Sequence, residues 1–312
     1  MKSLRIGLLV LAGLLLALLA WGLIEPYTID ETAYAVAIPS LPADWTGREI
    51  AVISDFQVGM WGDNLSTIRR IVDRIVREEP AAVLILGDFI YHGGEVARGR
   101  IDTAVDLVRP LTEADLTVVA VLGNHDYSVA SYDNPTIDRA RAERLAEGLE
   151  EIGVMVLENE VAVLGSPSGA MLHVVGVGSL MANRSDPEQA LDGVPETAPR
   201  LVMMHNPTSF GDLPPVSAPV AVAGHTHGGQ FRLPLLPDWT WVSFIRQDAV
   251  HADGWITDYG TLGNRLYVNR GIGFSVVPVR LNCPPELTWF TLERPSGAGT
   301  VATASEDSYN WQ

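Results

Sequence analysis

Apolar residues fall into two regimes along this chain. From Ile6 to Ile24 they form one uncharged stretch rich in Leu and Ala, close to the ~20 residues a helix needs to cross a bilayer. Beyond it they come in short bursts: Ile50-Ala51-Val52-Ile53, Val83-Leu84-Ile85-Leu86, Val118 to Leu122, Leu172 to Val175, Leu201 to Met204 and Val220 to Ala223. Such runs, bounded by turn residues, are the pattern of strands covered on both faces. Between them the spacing becomes helical. Leu65, Ile68, Ile71, Val72, Ile75 and Val76 recur on one side, with Arg69, Arg70, Asp73, Arg74 and Arg77 between them. This predicts an amphipathic helix laid on a sheet and capped by Asn64 or Ser66. Further helices are expected from about Gly94 to Val108 and from about Asn134 to Ile152, where Gly153 is the stop. The strand and helix alternation predicts an α/β fold of layered, largely parallel or mixed β-sheet flanked by helices.

The segment from Pro26 to Trp45 reads as a lead-in with an edge strand at Tyr34 to Ile38, ended by Pro39 and Pro42. Beyond His227 the pattern turns irregular and rich in Trp and Pro, predicting an extended loop before a closing strand at Leu266 to Asn269. Arg294 to Gln312, rich in Ser, Gly and Ala, reads as a disordered tail. The expected organisation is a membrane segment at 1–25, a lead-in at 26–47, one large domain at 48–293 and the tail at 294–312. A chain of 312 residues buries a sizeable core without having to split.

Lys2 and Arg5 precede the long apolar stretch and no basic residue follows it before Arg48, so the positive-inside bias puts the N-terminus in the cytoplasm and the rest outside. A cleaved signal peptide is the competing reading, with Ala33-Tyr34-Ala35 as its site. That site lies well past the stretch, and the stretch exceeds the ~7 to 15 residues of a signal core. A single-pass anchor is therefore expected, with Trp21 and Tyr27 at its outer interface and the domain periplasmic or extracellular. The net charge of −17 disfavours nucleic acid as a partner, because phosphate-backbone binding needs a basic face. The lone Cys283 excludes an internal disulfide and reads as a small buried residue. Oligomeric state is not written in the sequence.

Each of five runs leads directly into residues that bind metal or phosphate: Asp55, Asp88, Asn124 with His125, His205, and the pair His225 and His227. Ligands collect beyond the carboxyl ends of strands in α/β sheets, so a site across one edge of the sheet is expected. Hard oxygen donors mixed with imidazoles suit Mn, Zn, Fe or Mg rather than a soft metal. The chain reads as a metalloenzyme.

Asp55-Phe56-Gln57, Gly87-Asp88, Gly123-Asn124-His125-Asp126, His205 and Gly224-His225-Thr226-His227-Gly228-Gly229-Gln230 resemble the ordered motifs of calcineurin-like metallophosphoesterases, from about Arg48 to Phe290. The resemblance implies a metal-dependent phosphoric ester hydrolase with two adjacent divalent ions bridged by Asp88. One ion would be held by Asp55, Gln57, Asp88 and His227, the other by Asp88, Asn124, His205 and His225. It further implies attack by a hydroxide bridging the ions, with His125 donating a hydrogen bond or proton and Asp126 orienting its ring.

Gln57 departs from the family's usual His. Its amide oxygen is a neutral, weaker ligand, which favours Mn or Mg over Zn at that position, or it bonds only a metal-bound water. A non-catalytic metal-binding or receptor-like module, with Gln57 marking a degenerate first site, is the competing reading; retention of His125 and every other ligand argues against it. Arg270, in Asn269-Arg270-Gly271-Ile272-Gly273, reads either as a phosphate contact or as a structural ion pair. His92, four residues after Asp88, is a candidate to approach the substrate. His173 reads as a core residue and His251 as a surface one. The apolar segment Phe231 to Phe244 either admits an acyl chain or packs on the domain. A phosphate ester or pyrophosphate, lipid-linked in view of the tether, is the expected substrate.

Overall fold

The structure is a computed structural model that describes residues 2–92, 97–131, 136–233, 236–240 and 252–295. His251, the expected starts of two helices at Gly94 and Asn134, residues 234, 235 and 241–244 of the Phe231 to Phe244 segment and the tail beyond Pro295 lie outside the described residues.

The chain begins with α1 (Lys2–Ile24) and a short 3-10 turn (Glu25–Tyr27), then β1 (Asp30–Ala37) and β2 (Glu49–Ile53). Alternation follows: α2 (Leu65–Glu78), β3 (Ala82–Ile85), α3 (Ala97–Glu113), β4 (Val118–Val121), α4 (Arg139–Glu151) and β5 (Met155–Leu157). The second half runs β6 (Glu160–Gly165), β7 (Met171–Val177), α5 (Pro187–Leu191), β8 (Arg200–Met204) and β9 (Ala221–Ala223). After these come β10 (Arg232–Leu233), β11 (Leu236–Thr240), β12 (Gly254–Ile256), β13 (Leu266–Val268) and β14 (Glu286–Glu293).

Two six-stranded mixed sheets result, in the orders β1-β14-β2-β3-β4-β5 and β12-β13-β9-β8-β7-β6, beside a β10-β11 ribbon. The inner strands β2, β3, β4, β8 and β9 bury both faces, and alternate residues go to different cores. Ala51, Ile53, Val83 and Ile85 face α2, α3 and α4. Ile50, Val52, Ala82 and Leu84 meet Leu201, Met203 and Val222 of the other sheet, while Val202 and Met204 pack outward against Phe210 and Leu213. The result is a sandwich of two sheets with helices outside, which is why the apolar runs show no period of two.

Several boundaries differ from the sequence reading. The closing strand is β14, not Leu266 to Asn269, and it inserts between β1 and β2; a pairing across more than 230 residues leaves no local signal. The strand of the lead-in is longer than expected, and as β1 it runs parallel to β14 over its full length. The third helix continues through Pro110, and the fourth starts at Asp138, whose carboxylate accepts the Arg141 N–H. Asn64 occupies the cap position of α2 without a capping bond; its amide instead donates to the carbonyls of Pro26 (3.3 Å) and Ile272 (2.8 Å). His173 is only half-buried, on β7. Among the described residues α1 is the one helix apolar and long enough to span a bilayer, and its apolar side chains are exposed.

Gly176 of β7 lies where the two sheets touch. A Cβ there would collide with Leu157 of β5 and sit 3.1 Å from Val121 Cγ1 of β4. Gly176→Val should therefore destabilise the fold by about 1–3 kcal/mol through overpacking, read as a lower denaturation midpoint of the full chain in detergent.

Candidate metal centre

The chemistry-bearing residues follow the carboxyl ends of strands from both sheets. Asp55 and Gln57 follow β2, Asp88 follows β3, and Asn124 and His125 follow β4; His205 follows β8, and His225 and His227 follow β9. The expected single sheet edge is therefore a seam between two sheets.

Asp88 stands at the middle. Its Oδ2 lies 3.2 Å from His205 Nε2, accepts from Gln57 Nε2 at 2.8 Å and is 3.9 Å from His125 Nε2, while Oδ1 accepts the His125 backbone N–H at 2.8 Å. On one side His205 Nε2 sits 3.1 Å from Asn124 Oδ1 and 3.2 Å from His225 Nδ1. Ligand atoms of Asp88, His205 and His225 all lie within 4.8 Å of one another. On the other side His227 Nε2 is 3.6 Å from Asp55 Oδ1 and 3.4 Å from Gln57 Nε2. The structure thus brings all seven expected ligand side chains together.

Holding them there bends the backbone. Asp55, Gln57, Asp88, His225 and His227 all have left-handed φ, at 57°, 54°, 55°, 73° and 50°, a conformation that side-chain-bearing residues adopt only when their surroundings enforce it. Glycines make the room: a Cβ on Gly123 would collide with Asp88 Oδ1, and one on Gly271 would lie 2.7 Å from Asp55 Oδ2.

Crowding charges in a buried seam shifts their protonation. Burial raises Asp55 to about 6, with repulsion from Asp88 adding and attraction to His205 opposing. Burial also works against ionisation of Asp88, but His205 and His125 overcome it and hold that carboxyl well below its usual range. Burial disfavours a charged His205, yet Asp88 outweighs it and raises the imidazole to about 9. For His125 burial wins, lowering it to about 4 against the pull of Asp88.

The donor set suits divalent cations. Asp55 Oδ1, Gln57 Oε1 and His227 Nδ1 are buried without a hydrogen-bond partner, and buried polar atoms are seldom left so unless an ion or solvent group completes them. His205 Nδ1 is 2.8 Å from the Leu86 carbonyl; donation there directs Nε2 at the seam, as in metal-ligating histidines whose far nitrogen is tied down.

Asp126 does not orient the His125 ring. Its carboxylate accepts the backbone N–H groups of Asp88 (2.9 Å), Ile90 (3.1 Å) and Gly123 (2.8 Å), tying the β3 and β4 loops together. His92 faces that ring instead, with the two Nδ1 atoms 2.8 Å apart and the rings stacked at 4.7 Å. Tyr91 also stacks on His125, at 5.2 Å, a contact the sequence reading missed because aromatic stacking has no spacing signature. For Arg270 the structure shows the structural ion pair. Its guanidinium pairs with Asp30 at 2.5 Å and Glu286 at 3.4 Å, cross-linking the β1 and β14 ends behind the site.

A calcineurin-like phosphoesterase family model matches residues 48–229. Phosphodiesterase YaeI of Escherichia coli (strain K12) is 31% identical over 229 residues, covering 73% of this chain and 76% of that protein. An uncharacterized metallophosphoesterase, YkuE of Bacillus subtilis (strain 168), is 25% identical over 273 residues, covering 86% and 87%. UDP-2,3-diacylglucosamine pyrophosphatase LpxG of Chlamydia trachomatis serovar D is 24% identical over 315 residues, covering 85% and 89%. With a family model spanning more than half of its length, this chain belongs to the calcineurin-like phosphoesterases and is a metal-dependent phosphoric ester hydrolase.

Proposed function

We propose that the chain hydrolyses a phosphate ester or pyrophosphate carried by a lipid, from the outer face of a membrane that α1 spans. The observation that carries the catalytic part is the convergence of loops from two sheets on the single carboxylate of Asp88. Asp55, Gln57, Asp88 and His227 are assigned to one cation and Asp88, Asn124, His205 and His225 to the other, leaving the catalytic domain to begin at β1. When bound, a pair of divalent ions lowers the pKa of water toward neutrality and neutralises phosphoryl charge.

The chain's own groups do the rest. Gln57 donates to Asp88 through Nε2, which leaves Oε1, the buried atom without a partner, as its ligating atom. His125 is neutral at ordinary pH. With His92 Nδ1 as donor in their shared hydrogen bond, His125 keeps its proton on Nε2, the nitrogen nearest Asp88. That N–H donates to the phosphoryl or leaving oxygen. The stacked rings of Tyr91 and His92 shield it on one side from water.

The lipid-linked substrate is supported by the anchor-like α1 and by the relative named as a pyrophosphatase of a diacylated nucleotide sugar. A screen of the metal-loaded full chain in detergent, setting lipid pyrophosphates against soluble phosphate esters, tests it: preference for soluble esters overturns the lipid assignment and leaves the catalytic one standing.

With bis-p-nitrophenyl phosphate and Mn, Asp88→Asn should lose both metal and activity. His125→Ala should keep its metal and lose ~10²–10⁴ in rate; metal content by elemental analysis separates the two effects. Gln57→His should move the preference from Mn toward Zn, since imidazole suits Zn better than an amide oxygen does, read as the metal ratio after equilibration with both. Because Asp88 raises His205 to about 9, a cation competes with a proton for Nε2, and metal affinity should rise as pH increases from 6 to 9. A titration in which affinity falls over that range would contradict this assignment.

A further inference from the structure

Two loops hold the metal centre on one side and clasp the end of α1 on the other. The first follows Gln57, where the Met60 N–H turns back to the Gln57 carbonyl at 3.1 Å and Trp61-Gly62 come next. The second carries Gly273, whose N–H donates to the Asp55 carbonyl at 2.6 Å. Ser275 N–H and the Val277 carbonyl then bond the side chain of Gln230, at 2.8 and 2.9 Å, three residues past His227. The same segments grip the helix end. Arg280 N–H donates to the Gly22 carbonyl at 3.0 Å, a Cβ on Gly22 would lie 2.7 Å from Val279 Cγ1, and Glu25 accepts the N–H groups of Asn282 and Cys283. Asn64 and Thr67 close the clasp by donating to the Pro26 carbonyl. The last turn of α1 is therefore fixed at the catalytic end of the domain.

At the tip of these loops two large apolar side chains face outward, Trp61 at 64% and Val276 at 69% exposure. Trp61 Nε1 donates to the Val276 carbonyl at 3.0 Å, so its one polar group is satisfied within the pair. The whole ring can then enter an apolar layer without leaving a donor unpaired. Val276 holds φ at 66°, an outlier for a β-branched residue and one that projects it from the loop. Ile24 and Tyr27, exposed at the end of α1, place further apolar and amphipathic surface beside the same clasp, and Trp and Tyr settle at the headgroup level of bilayers.

We propose that Trp61 and Val276 form a lip that inserts into the interfacial layer of the bilayer α1 spans, setting the mouth of the metal centre against the lipid headgroups. This rests on α1 being a retained anchor. The phosphate that reaches the site then belongs to an amphiphile lying in the same leaflet, with its scissile bond at headgroup height.

The test uses the full chain in phosphatidylcholine liposomes with variants in which one added surface cysteine carries an environment-sensitive fluorophore. Val276→Cys reports the lip, Leu15→Cys the middle of α1, and Val163→Cys an exposed site on β6. The parent protein, whose only cysteine, Cys283, is buried, is the labelling blank, and each variant must retain the parent's circular dichroism. The expected result is blue-shifted emission, quenched by doxyl groups on the lipid chains, at 276 and 15 but not at 163. A label at 276 reading water while the label at 15 reads lipid overturns the lip and leaves the anchor intact. A label at 15 reading water overturns the anchor, and the lip with it.

Discussion

The organisation of the molecule depends on one buried carboxylate on which two groups of polar side chains converge. Asp88 is nearly inaccessible to solvent, and an isolated charge so placed would take up a proton rather than stay ionised. It stays ionised because His205 lies against Oδ2, the Gln57 amide donates to the same oxygen and the His125 backbone donates to Oδ1. Each of these arrives from a different loop, so the carboxylate acts as a fastener between sheets. The left-handed residues around it are conformational costs that this clustering offsets.

Asp126 does the same work one layer further out. Its carboxylate closes three backbone N–H groups from the loops after β3 and β4, and burial together with repulsion from Asp88 raises it to about 7. A group so poised is tolerable because three donors compensate it. The family motif brings Asp126 next to His125 in sequence, which invited the reading that one orients the other; in space the chain reverses between them and sends them to opposite tasks. Ring orientation falls to His92 and Tyr91, from the preceding loop.

The parts of the fold legible in the sequence were those with local causes. Runs such as Val83-Leu84-Ile85-Leu86 are uniformly apolar because each strand separates two cores, and the α2 stripe is periodic because one face meets a sheet. The candidate metal-binding residues Asp88, His205 and His225 were legible for the same reason, since each comes at the end of such a run. What stayed hidden depended on distant partners. β14 takes its place between β1 and β2 only through pairing across the length of the chain. Arg270 had equal claims as a phosphate contact and an ion pair until Asp30 and Glu286 were placed beside it. Asn64 looked like a cap, but its amide goes to Pro26 and Ile272, a choice set by where α1 ends.

That last substitution of roles shows how α1 and the centre are joined. Asn64 begins the helix that follows the Asp55 and Gln57 loop, and its two bonds reach both the segment leaving α1 and the loop that closes over Asp55. Arg280, fully buried, makes a second bridge of the same kind: its backbone meets Gly22 while its guanidinium donates to the carbonyls of Arg270, Gly271 and Gly273. A guanidinium that satisfies several carbonyls at once in a dry interior resists displacement, because moving it would strand each of them. The end of α1 and the wall of the metal centre are therefore joined through the same buried side chains. In such an arrangement the fold itself sets the orientation of the site relative to the axis of α1, and with α1 as the proposed anchor, substrate selection would begin with what reaches a mouth held at a fixed height.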